Sequence, residues 1–183
     1  MKSGFKLRMT FAVVVVLLSQ NVAAQEQESP HFLEDVRVIE ECLSALQPFL
    51  TQPLTLANGH CENVVANGCQ ATSQYNDTPA IVRCITRELG AFERIMEHSL
   101  ERAAKAVRNF GTYEEFGLQA ERKLRRAQLA WLEYRDNHCE LAGDSTSPGT
   151  IHSVRRVGCR SRMTADRVLY LRGLFLGYNM ERY

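Results

Sequence analysis

What this sequence lacks narrows it first. Past residue 24 there is no second long apolar run, so no membrane-spanning helix is expected in the body of the chain. There is no Walker loop, no dinucleotide-binding glycine loop and no Gly-x-Ser-x-Gly elbow, and no internal repeat; the usual nucleotide-binding and acyl-transfer motifs are therefore missing. No Cys-x-x-Cys pair occurs and the cysteine spacings do not repeat, which argues against a structural zinc site. Positive charge does not dominate either. Of 22 lysines and arginines, three (Lys2, Lys6 and Arg8) fall within the first 24 residues, leaving 19 against 21 acidic residues. A chain so balanced is not expected to bind nucleic acid in general.

The first 24 residues have their own grammar. A charged leader is followed by the apolar run Phe11 to Leu18, and then by small residues at Val22-Ala23-Ala24. This reads as a secretory signal peptide cleaved after Ala24, because the run is shorter than the roughly 20 residues that span a bilayer. No cysteine stands directly after that point, so no lipoprotein anchor is expected; the first cysteine is Cys42. Cleavage leaves 159 residues, 25–183, a size suited to a single helical domain in the periplasm or outside the cell.

All six cysteines, Cys42, Cys61, Cys69, Cys84, Cys139 and Cys159, lie in that mature part, as an oxidising compartment would favour. Six cysteines allow fifteen pairings, and sequence alone leaves them open. The sequential set, Cys42 with Cys61, Cys69 with Cys84 and Cys139 with Cys159, is the expectation; each such loop is worth about 3 kcal/mol by the chain-entropy model. Zinc is the rival reading.

Apolar residues recur at helical spacing over most of the chain. Ser29-Pro30 opens a helix over about 30–47, with Phe32, Val36, Ile39, Leu43 and Leu46 on one face and Pro48 and Pro53 closing it. Glu40 and Glu41 point about 100° apart on it and read as a solvated face. Between Thr51 and Asp77 no period persists; Asn58-Gly59 and Asn67-Gly68 mark turns, so this is a stapled loop with room for one helical turn, and His60 reads as exposed. Thr78-Pro79 opens a long helix over 79–109, whose stripe runs from Ile81 through Phe92, Met96 and Val107 to Phe110. Arg87, Glu88, Glu93, Arg94 and Glu101 are assigned to its solvent side. Gly111 ends it, and Thr112 with Glu115 forms a capping box for a helix over 113–142. The stripe Leu124, Ala127, Trp131, Tyr134, His138 and Leu141 is assigned to that helix's buried side. A last helix covers 151–177, its apolar side made of Ile151, Val154, Met163, Tyr170, Leu171 and Leu174. The expected fold is all-α: a disulfide-stapled bundle of about four main helices.

The segment Ala127-Gln128-x-Ala130-Trp131-x-x-Tyr134-Arg135-Asp136-x-x-Cys139 resembles the signature of the LprI-like lysozyme inhibitor family. The likeness continues through Gly149-Thr150, Cys159, Thr164 and Arg167 ahead of Leu171, and upstream to Cys69 and Cys84, covering about 69–175. The turn reads Pro148-Gly149-Thr150 where the family has Gly-Gly-Ser, and 29–68, with Cys42 and Cys61, is additional. The resemblance implies a bacterial envelope or secreted location, a protein partner and, for some members, inhibition of lysozyme.

Trp131 and Tyr134 read as core, while Gln128, Arg135 and Asp136 read as polar contacts that fix helix packing. Asp136, His138 and Cys139 do not make a nucleophilic set, because adjacent helical residues diverge and a disulfide sulfur cannot attack. No catalytic residue, metal ligand or cofactor is therefore expected. The candidate contact surface is the loop and helix start after Cys139, with Asp144, Ser145, Ser147, Thr150, His152, Arg155 and Arg156. Lysozyme works with two carboxylates in a cleft, and His152, Arg155 or Arg156 could enter it as a donor or cation held on a rigid loop. A close variant is an immunity protein against a delivered toxin. The alternative is an envelope interaction module that inhibits nothing.

Overall fold

One helix is enclosed by the others. The computed structural model describes residues 30–45, 61–109, 113–145 and 149–176. In chain order it forms α1 (Pro30–Ala45), α2 (Val64–Ala71), α3 (Thr78–Asn109), α4 (Glu114–Asp144) and α5 (Ile151–Leu176), with no strand among the described residues. Helix α3 touches all four others and carries Phe92, Ile95 and Met96 into the centre. Around them pack Ile39 and Leu43 of α1, Val65 of α2, and Val168, Leu169, Leu171 and Leu174 of α5. The all-α bundle of four long helices is as expected; the stapled loop, where one helical turn was allowed for, holds the eight-residue helix α2, and Asn67-Gly68, expected to mark a turn, lie inside it because the α2 backbone is held at its start by Glu88 and at Cys69 by a disulfide. The signal peptide, Ser29, Leu46, Pro48, Pro53, the Asn58-Gly59 turn, His60, Phe110, Gly111, Thr112, Ser147 and Pro148 lie outside the described residues.

The three disulfides follow the sequential pairing. Cys42–Cys61 ties α1 to the entry of α2, Cys69–Cys84 ties α2 to α3, and Cys139–Cys159 ties α4 to α5 as an antiparallel pair, with Cα–Cα distances of 5.8, 5.5 and 5.5 Å. All six thiols are consumed, which answers the zinc alternative. Helix α3 starts one residue earlier than expected, because the Asp77 carboxylate accepts from the amide of Ala80 at 2.8 Å.

Two assignments of faces need correcting. Tyr134 is 57% exposed and Leu141 67% exposed, and Ala127 and His138 are exposed with them. The buried line of α4 is instead Gly117, Gln128, Arg135, Cys139 and Gly143. A stripe drawn through apolar letters missed it because this helix meets its neighbours with polar side chains and bare backbone. At Gly117 a Cβ would fall 2.0 Å from the Arg108 carbonyl oxygen, so α3 and α4 approach there closer than any side chain allows. In α5, Ile151 is likewise exposed, and the inward face runs through Ala165, Val168, Leu169, Leu171 and Leu174.

The second correction is Glu88, which is 1% exposed rather than solvated. Its carboxylate accepts from the backbone amides of Asn63, Val65 and Ala66 at 2.9, 3.0 and 3.0 Å, and from the Ser161 hydroxyl at 3.3 Å. The first amides of a helix have no partner within it, so α2 presents donors to an anion. Asn63 aims them by adopting a left-handed conformation (φ 64°) that asparagine tolerates better than most residues. Glu40 is also more than a solvated face: it pairs with Arg172, buried on α5. Asp35 grips Arg87 through two bonds of 2.8 and 3.0 Å, so α1 is held by two ion pairs as well as by apolar contact.

Glu88→Ala would strand three buried donors, and we expect it to cost about 3 kcal/mol or more, whereas Glu88→Gln keeps an acceptor and should cost less. Urea unfolding of the oxidised protein measures both.

Candidate functional site

The residues of the Trp131 motif divide between three environments. Arg135 points inward at 6% exposure, its Nη1 donating to Glu93 and to Thr164 at 2.9 Å each and its Nε to Asp136 at 3.0 Å. This one guanidinium therefore joins α3, α4 and α5. Asp136 is half-buried and also lies 3.4 Å from Arg160. Gln128, 4% exposed, donates to the Met96 sulfur at 3.3 Å and accepts from Arg167 Nε at 2.8 Å. Trp131 sits half-buried at the rim, with the guanidinium carbons of Arg135 and Arg167 at 5.6 and 5.4 Å from its ring centre. Tyr134 faces outward and stacks on His138, with ring centres 5.5 Å apart.

The second cluster surrounds the junction of α4 and α5. His152, Arg155 and Arg156 lie in the first two turns of α5 and not on a loop. His152 Nε2 is 3.2 Å from the Asp144 carboxylate, and its ring covers Gly143, where a Cβ would lie 2.9 Å from that nitrogen. Arg156 pairs with Glu140 at 3.2 Å, and Glu140 also receives Arg160 at 3.3 Å. Arg155 is different. It is exposed, makes no ion pair among the described residues, and opens with Arg162 onto a cavity of about 440 Å³ floored by Ala142 and Gly158. Glu62 forms another wall; burial and the nearby Asp166 hold its carboxyl above the ordinary glutamate range, with Arg162 pulling the other way.

Sequence reasoning did not single out Glu62 or Arg162, and gave Arg167 only through the resemblance. Glu62 stands between Cys61 and the left-handed Asn63, in a stretch without periodicity. Arg162 falls seven residues after Arg155, two turns along one face, and that spacing was a usable signal. Among the described residues no group of three His, Cys, Asp or Glu side chains is arranged to hold a metal ion, and no helix is long and apolar enough to cross a membrane.

Comparison with known proteins gives a consistent boundary. The family model described as lysozyme inhibitor LprI matches residues 69–171, from Cys69 in α2 through α3 and α4 to Leu171 in α5. That span holds two of the three disulfides and both clusters apart from Glu62 and Asn63. An uncharacterized protein of Rhizobium meliloti (strain 1021) is 29% identical over 92 residues, which is 50% of this chain and 64% of that protein, so the chain spans less than two thirds of this curated relative's length. No solved structure matches.

Two outcomes follow from the geometry. Arg135→Ala should destabilise by about 3 kcal/mol, and Arg135→Lys should recover only part, because a single ammonium cannot meet Glu93, Thr164 and Asp136 together; thermal unfolding checks both. Glu62 holds its proton to higher pH folded than unfolded. The stability it removes is therefore fully removed above its folded pKa and regained as pH falls towards the unfolded value. Glu62→Gln should raise stability at pH 7, and this gain should vanish in acid below the ordinary carboxyl range, as urea midpoints against pH will report.

Proposed function

The chain belongs to the lysozyme inhibitor LprI family, and from that premise we propose that it is an exported protein that binds and inhibits a lysozyme-type cell-wall hydrolase. In this reading residues 1–24 are a signal peptide removed on export, 25–183 fold as one helical domain, and the mature chain works in the periplasm or outside the cell. Three disulfides support that compartment, since such bonds persist where the surroundings are oxidising. The protein acts by docking and supplies no chemistry of its own.

The observation that carries the choice of surface is Arg155. Of the three side chains expected to meet a partner, Arg156 is already met by Glu140 and His152 by Asp144, while Arg155 stands exposed on the first turns of α5 with no ion pair among the described residues. A hydrolase of this kind carries two carboxylates in its cleft. A guanidinium on a helix already stapled to α4 can pair with one of them while losing little further freedom. The second reading, a non-inhibitory interaction module, draws on the exposed aromatic pair Tyr134–His138 with Leu141 beside it on α4.

A wall-lysis assay with the purified oxidised protein separates the two readings. We expect inhibition that Arg155→Glu weakens at least about tenfold with the melting temperature unchanged, and that Arg156→Glu weakens less. Inhibition untouched by Arg155→Glu would overturn the choice of surface. No inhibition, together with recovery of a bound exported protein, would favour the second reading.

A further inference from the structure

Arg167 is a cation whose surroundings are built and which has no counter-charge among the described residues. Its Nε is committed to the buried Gln128 at 2.8 Å, and its guanidinium carbon stands 5.4 Å from the Trp131 ring centre and 4.7 Å from that of Tyr170. Burial holds its pKa below the usual arginine value, with Tyr170 partly offsetting this. Even so, no carboxylate among the described residues forms an ion pair with it. Other arginines on this side of the molecule have theirs: Arg135 has Glu93, and Arg156 and Arg160 share Glu140. A partly desolvated charge without a partner is costly, and holding it by three neighbours fixes its direction.

Arg167 faces an open cavity of about 300 Å³ whose other walls are Trp131, Met163, Tyr170 and Asp166. Asp166 precedes Arg167 in the chain, so on a helix their side chains diverge by about 100° and they do not pair. Burial raises the Asp166 carboxyl above its ordinary range, with Arg162 offsetting in part. One cavity thus presents a fixed cation, a separate carboxylate and apolar side chains. Its size falls at the low end for small-molecule pockets.

We propose that this cavity binds a small zwitterion of the α-amino-acid class: its carboxylate pairs with the Arg167 guanidinium, its ammonium with Asp166, and its side chain lies against Trp131, Met163 and Tyr170. The proposal goes beyond inhibition of a hydrolase and does not depend on it. It uses a motif, Gln128, Trp131 and Arg167, to which the docking surface assigns no task.

Trp131 is the chain's single tryptophan, so its fluorescence reports this cavity alone. The mature oxidised protein is titrated at low ionic strength with L-leucine, N-acetyl-L-leucine and L-leucinamide. We expect a saturable change with leucine, weakened at least about tenfold by blocking either charged end. Arg167→Gln should abolish the leucine response with the helical circular-dichroism spectrum retained. Asp166→Asn, on the solvent side of the wall, should bring leucine and N-acetyl-leucine to similar strength, and it carries the test should the Arg167 variant not fold. The proposal is overturned if no ligand saturates below about 10 mM, if the amide binds as well as leucine, or if Asp166→Asn leaves the preference for leucine over its N-acetyl form intact.

Discussion

A carboxylate sealed away from water must be met on all sides, and Glu88 in the middle of α3 is met by two other helices. Its oxygens take three backbone amides at the start of α2 and the hydroxyl of Ser161 on α5. Apolar contact alone tolerates sliding, since one methyl group does as well as the next. Hydrogen bonds of about 3 Å to a buried charge do not, because a slip of one turn would leave both the charge and the amides unpaired. Glu88 therefore sets where α2 sits along α3 and where α5 crosses it. The disulfides Cys42–Cys61 and Cys69–Cys84 then bracket α2, a helix of eight residues that could not persist alone.

The architecture was legible because long periodic segments bounded by Pro, Gly and capping residues leave little choice, and the limits of α3, α4 and α5 fell within two residues of expectation. The direction in which α4 faces was not. Its letters offered an apolar line through Trp131, Tyr134, His138 and Leu141, and a separate polar line in which Gln128 and Arg135 read as contacts that fix helix packing. The helix turns the second line inward, because Met96, Glu93 and Thr164 wait there with complementary atoms. Nothing local reveals a partner 29 or more residues away. Glu88 was more readable than it looked: Cys84, Glu88, Ala91, Ile95 and Ser99 step by three or four along one face, and all five are buried. A charge on a stripe that starts at a disulfide is better read as a buried group seeking donors than as part of the solvated face.

The same accounting distinguishes cations that hold the fold from those free to act on something else. Arg87, Arg135, Arg156, Arg160 and Arg172 each face a carboxylate on another helix. They lock α1 to α3, α1 to α5, α3 to α4, and the hairpin to itself. Arg155 and Arg167 are the contrast, one exposed beside a broad cavity and one held between two aromatic rings. Charge count and periodicity do not separate these groups, since all seven are arginines on amphipathic helices. Only the position of the carboxylates does.

The proposed binding surfaces on α5 fit the way the hairpin is held. Near its turn the helices are joined by Cys139–Cys159. Farther along, Arg135 reaches Thr164, and Gln128 receives Arg167. The attachments recur at 139, 135 and 128 on α4 and at 159, 164 and 167 on α5, so the two helices are fixed over several turns and not at one point. Arg162 lies between these ties, Arg155 one turn before the first of them and Arg167 at the last, so all three are carried on backbone that has little freedom left to lose. A flexible loop would have to be ordered by its ligand at the expense of affinity. Here that ordering was completed on folding, when the hairpin closed its covalent bridge and packed onto α3.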